Sequence, residues 1–149
     1  MNSVLEEFDP HLSVGALLRT TYGWVLDDTL TALTDNGYAD LKVKHMRVLF
    51  LFRGTSLRPV DAASALGQSR QATAYIIESL EERGYLERTP GTEGRKRPTV
   101  SLTLRGEAAV EVMIKAGYEL SARLKDQLGE ENFAIFLKVL QKLAGPNAT

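Results

Sequence analysis

Residues 66–110 read LGQSRQATAYIIESLEERGYLERTPGTEGRKRPTVSLTLRGEAAV, and this stretch decides the fold. Ser69 is a good helix N-cap, because a serine oxygen accepts one of the backbone N–H groups that a helix start leaves unpaired. From Arg70 to Arg83 the apolar positions Ala72, Ile76, Ile77 and Leu80, with Tyr75 beside them, recur at helical period. Gly84 supplies the left-handed residue that ends such a helix. Tyr85 to Thr89 then fits a strand, Pro90-Gly91-Thr92-Glu93-Gly94 a turn, and Pro98 to Leu104 a second strand with Val100, Leu102 and Leu104 on one face. The hairpin tip carries Arg95, Lys96 and Arg97, and Thr103 is placed to cap a following helix.

Just upstream, Pro59 suits the first turn of a helix, where its missing N–H would have had no partner. Ala62, Ala63 and Leu66 make that helix's inward side, and Gly67 ends it. A short helix, a tight turn and a longer helix in this order have helix-turn-helix spacing. Further out, residues 12–35 repeat Val14, Leu17, Leu18, Thr21, Val25, Leu30 and Leu33 at mostly three- and four-residue steps, with Asp35-Asn36-Gly37 as the stop. Lys42 to Phe52 is apolar over much of its surface and is expected in the core, and Thr55 to Leu57 is expected as a very short strand. Beyond the hairpin, Ala109, Val112, Met113, Ala116, Leu120, Leu124 and Leu128 form one long stripe, interrupted by Gly129. A last helix over Phe133 to Leu143 is apolar nearly all round, and a terminal helix cannot bury every side against its own chain; the surplus calls for a partner. The expected class is mainly α with a small β-hairpin (α+β): a winged helix-turn-helix flanked by N- and C-terminal helices.

With 149 residues the chain is long enough for one domain with a real core, and its 44% hydrophobic and 25% charged residues are those of an ordinary globular protein. No apolar run reaches the length of a membrane span, and the acidic start, Met1 to Pro10, does not read as a secretory signal, so a cytoplasmic protein is expected. The absence of cysteine excludes disulfides and thiolate chemistry, and His11 and His45 are too far apart in sequence for a His-rich metal motif. No metal or cofactor is expected. The formal net charge of −1 argues against a general polyanion binder, but the cations are segregated. Residues 88–105 hold Arg88, Arg95, Lys96, Arg97 and Arg105 against Glu93 alone, and residues 41–60 hold Lys42, Lys44, Arg47, Arg53 and Arg58 with no acid.

The stretch from Leu66-Gly67 into Ser69, then Leu80-Glu81-Glu82-Arg83-Gly84-Tyr85-Leu86-Glu87-Arg88, then Leu102-Thr103 with Gly106, resembles the MarR family of winged-helix regulators. "GYADLKVKHMRVLFLF", Gly37 to Phe52, is similar to the family's second-helix segment, and the resemblance runs from about residue 12 to 145. It implies one domain over 1–149, with residues 12–35 and 104–145 as dimerisation helices and 41–103 as the DNA-binding lobe. It further implies a homodimeric regulator, usually a repressor, on a pseudo-palindromic operator in double-stranded DNA, and a cleft between the two lobes that takes a small aromatic or phenolic effector. The wing departs from the family's usual alternation of Asp and Arg: Lys96 falls where the wing arginine usually sits, with Arg95 and Arg97 on either side.

The start of a helix in a major groove reaches base edges, so Ser69, Arg70, Gln71, Thr73, Ala74 and Tyr75 are the expected readers. Arg70 fits guanine or a phosphate, Gln71 adenine, and Thr73 a thymine methyl or a phosphate; in an isolated helix the same residues would simply be a cap and a solvated face. Arg95, Lys96 and Arg97 fit a minor groove or phosphates, and Arg58 and Arg88 are further phosphate candidates. Trp24, His45 and Met46 are the candidate cleft residues, against plain core or surface roles. Val14, Leu17, Leu120, Leu124, Phe133, Phe136, Leu137 and Leu140 are the candidate dimer contacts. A winged helix used for protein contacts is the rival reading. An enzyme is disfavoured: there is no P-loop, Gly-x-Gly-x-x-Gly, His-Glu-x-x-His or Gly-x-Ser-x-Gly, and Asp27-Asp28 and Glu81-Glu82 are neighbours that point about 100° apart on a helix.

Overall fold

In the computed structural model, which describes residues 13–90 and 97–145, the order of elements is α1 (Val14–Asp35), α2 (Val43–Leu51), α3 (Pro59–Leu66), α4 (Arg70–Glu82), β1 (Leu86–Thr89), β2 (Thr99–Leu102), α5 (Leu104–Leu128) and α6 (Glu130–Ala144). The helix starts are made by the residues that local chemistry favours. Ser13 Oγ accepts the Ala16 N–H at 3.2 Å, Ser69 Oγ the Ala72 N–H at 3.1 Å, and Thr103 Oγ1 the Gly106 N–H at 3.1 Å. Pro59 opens α3, and Gly67 ends it at φ 63°, where a side chain would be strained.

The two strands are antiparallel with Leu86 opposite Leu102 and Arg88 opposite Val100. The expected strand at Thr55 to Leu57 is reduced to a single bridging residue, Leu57, which exchanges backbone hydrogen bonds of 3.0 and 2.8 Å with Val100. The second strand is shorter than the alternation suggests. Thr103 turns out of it to cap α5, so Leu104 belongs to the helix and is 85% exposed instead of continuing the Val100 face. The last helix begins one residue after Gly129 and not at Phe133.

The core lies where α2, α3, α4 and the hairpin meet the C-terminal end of α1 and the first half of α5. Leu33, Leu49, Phe52, Ile77, Leu80, Tyr85, Val100 and Val110 are its sealed centre. Helix α2 is only half in the core: Val48 and Leu49 are buried, but Val43 and Phe50 are exposed. Burial on α5 stops at Ala116, and no residue of α6 is buried. The apolar residues of α1's first turns and of α6 therefore stand open, with Val14 71% and Leu143 69% exposed.

One approach is closer than any motif implies. Tyr85 O accepts the Thr103 N–H at 3.0 Å, and Thr103 Oγ1 donates to Gly84 O at 2.6 Å, so the start of α5 is drawn against the backbone before β1. A Cβ at Gly106 would stand 2.1 Å from Tyr85 O, inside any permitted contact, and the obstructing atom is backbone. Gly106→Ala should destabilise the fold by about 1–3 kcal/mol, the cost of overpacking a fixed contact. Gly117→Ala, where a Cβ meets nothing within 4 Å, is the control. Thermal unfolding of the two variants checks this, and equal melting temperatures would refute it.

Candidate nucleic-acid interface

Helix α4 divides cleanly into two sides. Thr73, Ile76, Ile77 and Leu80 are buried, and Arg70, Gln71, Ala72, Tyr75 and Glu78 are exposed, with Ala74 half-buried between them. The inward stripe thus begins at Thr73 and not at Ala72. Thr73 is fully buried and its hydroxyl has no hydrogen-bond partner, so the expectation that it touches a thymine methyl or a phosphate is corrected. Position 73 lies three residues before Ile76 and four before Ile77, which is the spacing that shares a face, and that face of α4 is turned into the core. Ser69, Arg70, Gln71 and Tyr75 stand on the exposed surface at the helix start.

The surrounding cations differ in how far they are already committed. Arg58 donates twice to Asp61, at 2.5 and 2.7 Å, across the first turn of α3. These bonds hold the Asp61 carboxyl below its ordinary range, and the charge of Arg97 at the hairpin's edge adds to the effect. Arg88 donates to both oxygens of Glu81, at 2.9 and 3.0 Å, locking β1 to α4. Of the expected phosphate contacts, Arg58 and Arg88 are thus ion-paired, and Arg97 is exposed. Arg95 and Lys96 lie outside the described residues.

A polar node behind α4 was not visible in the sequence. Tyr85 is sealed from solvent, and its hydroxyl donates to Asp40 Oδ1 at 2.6 Å while accepting from Arg105 at 3.0 Å. The Arg105 guanidinium lies over the Tyr85 ring at 4.6 Å and the Tyr38 ring at 5.7 Å, and Arg83 approaches the other Asp40 oxygen at 3.9 Å. Burial, helped by the Asp40 hydrogen bond, pushes the Tyr85 phenol up to about 12. Its partners sit 45 and 20 residues away, and no spacing rule links them.

Helices α1, α2 and α5 enclose a cleft of about 760 Å³. Its apolar wall includes Val25, Met46, Phe50, Met113 and Ile114, and Lys44, Arg47 and Arg53 bring the charge, with no carboxylate in the lining. Of the candidate cleft residues only Met46 lines this space. Trp24 is 63% exposed and lies elsewhere on α1. His45 is fully buried, so neither a cleft position nor a surface position is correct for it. Its Nδ1 accepts the Lys42 N–H at 3.1 Å, closing the start of α2, and its Nε2 has no partner. Among the candidate dimer contacts, Val14, Leu17 and Leu137 are exposed and Leu120, Leu124, Phe133, Phe136 and Leu140 are half-buried. Among the described residues no helix is long and apolar enough to cross a membrane, and no group of three His, Cys, Asp or Glu could hold a metal.

A helix-turn-helix with a hairpin directly after its second helix, and an uncovered polar side at that helix's start, defines a winged-helix protein of the DNA-binding type. Residues 39–97 match the family model described as "MarR family". The DNA-bound transcriptional repressor CouR, solved on a 23-mer duplex, is 25% identical and superposes at a TM-score of 0.68 over 97% of each chain. BpsR of Bordetella bronchiseptica, whose DNA binding is regulated by 6-hydroxynicotinic acid, is 22% identical at a TM-score of 0.67, covering 94% of this chain and 99% of that one. The HTH-type transcriptional repressor YetL of Bacillus subtilis is 22% identical over 107 residues, which is 72% of this chain and 64% of YetL, just under two thirds of that protein. Residues 39–97 are thus similar to the MarR family of transcription regulators, and the chain as a whole superposes on DNA-binding winged-helix regulators.

Burial holds the His45 pKa below its ordinary value, Arg83 and Lys44 push the same way, and Asp40 opposes them. The folded state therefore keeps His45 neutral where the unfolded chain takes up a proton. Its contribution to stability is complete above about pH 6.5 and is lost as the pH falls below that value. Urea midpoints measured at pH 7.5 and 5.5 should fall further for the wild type than for His45→Gln; parallel pH profiles would contradict the buried neutral assignment.

Proposed function

We propose that the protein is a homodimeric repressor that reads a pseudo-palindromic operator with α4 and is released by a small aromatic effector. The observation that carries this reading is the division of α4: one side sealed in the core, the other side bare from Ser69 to Tyr75. On this reading Arg70 contacts guanine or a phosphate, Gln71 contacts adenine, and Ser69, Ala74 and Tyr75 complete the surface in the major groove. The hairpin residues Arg95, Lys96 and Arg97 enter a neighbouring minor groove or hold phosphates. Arg58 and Arg88 keep their carboxylate partners and contribute by orienting α3 and β1, with phosphate contact secondary.

The dimer is formed by α1, the second half of α5 and α6. This is supported by their open apolar residues, which a single chain leaves uncovered. The repressor role follows that of YetL and CouR, and the aromatic effector follows that of BpsR. The cleft between α1, α2 and α5 has the size and apolar lining of a small-molecule site.

Selection of binding sequences from a random duplex pool by the purified protein tests the reading; a palindromic consensus is the expected result, and no enrichment would overturn it. Arg70→Ala should reduce affinity for the selected site by about 10-fold or more while binding to unrelated DNA stays the same, the signature of a lost base contact. Fluorescence anisotropy against both duplexes checks it, and a uniform loss on both would reassign Arg70 to a phosphate. Leu140→Asp should convert the dimer to monomer in sedimentation velocity, and a dimer that persists would remove α6 from the interface.

A further inference from the structure

We propose that Lys44 couples the cleft to the recognition helix by exchanging one partner for another: the ring of Tyr75 when the cleft is empty, and the anionic group of an amphipathic organic anion when it is filled. The proposal rests on the regulatory reading above and names the chemistry of the effector and the residue through which it acts.

The charge of the cleft identifies its occupant. Lys44, Arg47 and Arg53 line it, no Asp or Glu does, and no carboxylate among the described residues forms an ion pair with any of the three. Met46, Phe50, Met113 and Ile114 offer the apolar counterpart. Lys44 and Arg47 are three residues apart on α2, so two like charges share one helix edge, and an anion between them relieves that repulsion. A flat apolar body with one negative group satisfies both walls, whereas a neutral body leaves the cations without a partner.

Lys44 also reaches out of the cleft. Its Nζ lies 5.0 Å from the centre of the Tyr75 ring, within the range of a cation–ring attraction. Tyr75 is 62% exposed, on the same bare side of α4 as Arg70 and Gln71. The ammonium thus supports one flank of a side chain on the proposed reading surface. It is a point charge on a flexible four-carbon stem, free to turn without moving the backbone. A full negative charge attracts it more strongly than a ring at an exposed site does. When the ammonium turns to the anion, Tyr75 loses its support, and DNA affinity falls by the difference between the two states. By linkage, DNA weakens the anion's binding by the same factor. Gln68, in the turn before Ser69, also lines the cleft, so the space adjoins the start of α4 itself.

The test uses the full-length protein, 2-naphthoate as the anionic probe, 2-naphthamide as its neutral counterpart, and the selected duplex labelled for anisotropy. Calorimetry measures probe binding separately. In the wild type, saturating 2-naphthoate should weaken DNA binding by about two- to fivefold per recognition helix, the factor an exposed cation–ring contact carries, while 2-naphthamide should not. Lys44→Met should lower DNA affinity by the same factor in the absence of probe and abolish the effect of 2-naphthoate. Lys44→Arg should keep both. Lys44→Met and Tyr75→Leu combined should cost no more than Tyr75→Leu alone, which separates this role from a direct Lys44–phosphate contact, whose loss would add to that of Tyr75.

An unchanged 2-naphthoate effect in Lys44→Met, an equal effect of 2-naphthamide, additive losses in the double variant, or no binding of 2-naphthoate to the wild type would each overturn the proposal while leaving the DNA-binding reading intact. A wild type that binds no DNA would overturn that reading, and this one with it.

Discussion

The Tyr85 hydroxyl is where the three parts of this chain are tied together. It sits at the end of the turn after α4, sealed from water, with Asp40 from the loop before α2 on one side and Arg105 from the start of α5 on the other. A buried phenol without partners would be costly, and here both its donor and its acceptor capacity are used. The carbonyl of the same residue receives Thr103, and the absent side chain of Gly106 lets α5 close on it. The direction in which the long helix leaves the hairpin is fixed at this node. So is the relation between α4, the loop before α2 and the start of α5.

The near-neutral charge of the protein becomes intelligible once the ion pairs are drawn. Arg58 and Arg88 serve as braces, each held by two bonds to a carboxylate of a neighbouring turn or helix. Such exposed pairs add little stability singly, but they orient α3 and β1 relative to α4. Arg70 on α4 and the cleft cations of α2 form no ion pair with any described residue. A modest number of uncommitted cations, placed where α2, α4 and the hairpin edge converge, is a local footprint, and it does not depend on the sign of the whole molecule.

The cleft and the bare side of α4 are two faces of one arrangement. Helix α2 presents Val48 and Leu49 to the core and Phe50 to the cleft, so its apolar composition serves two surfaces. That dual use explains why the sequence of α2 reads as a wholly buried helix although half of it is not. It also explains the position of His45, which closes the first turn of α2 through Nδ1 and is walled in as a result.

Reading the sequence alone determined the elements and their order, because caps, glycines and prolines act within a single turn of backbone. Pro59, Gly67, Ser69 and Thr103 each do in the structure what their chemistry dictates at short range. The same reading located Arg70, Gln71 and Tyr75 on a helix start beside a hairpin. Only the tertiary structure decided which way neighbouring side chains face. Ala72 and Thr73 differ by about 100° around α4, and the packing of that helix on its neighbours places the threonine in the interior against its polarity. His45 is buried and Trp24 exposed, neither of them in the cleft, for the same reason: burial depends on what the opposite element offers. The Asp40–Tyr85–Arg105 node and the Lys44–Tyr75 contact join residues far apart in the chain, where no local periodicity carries information.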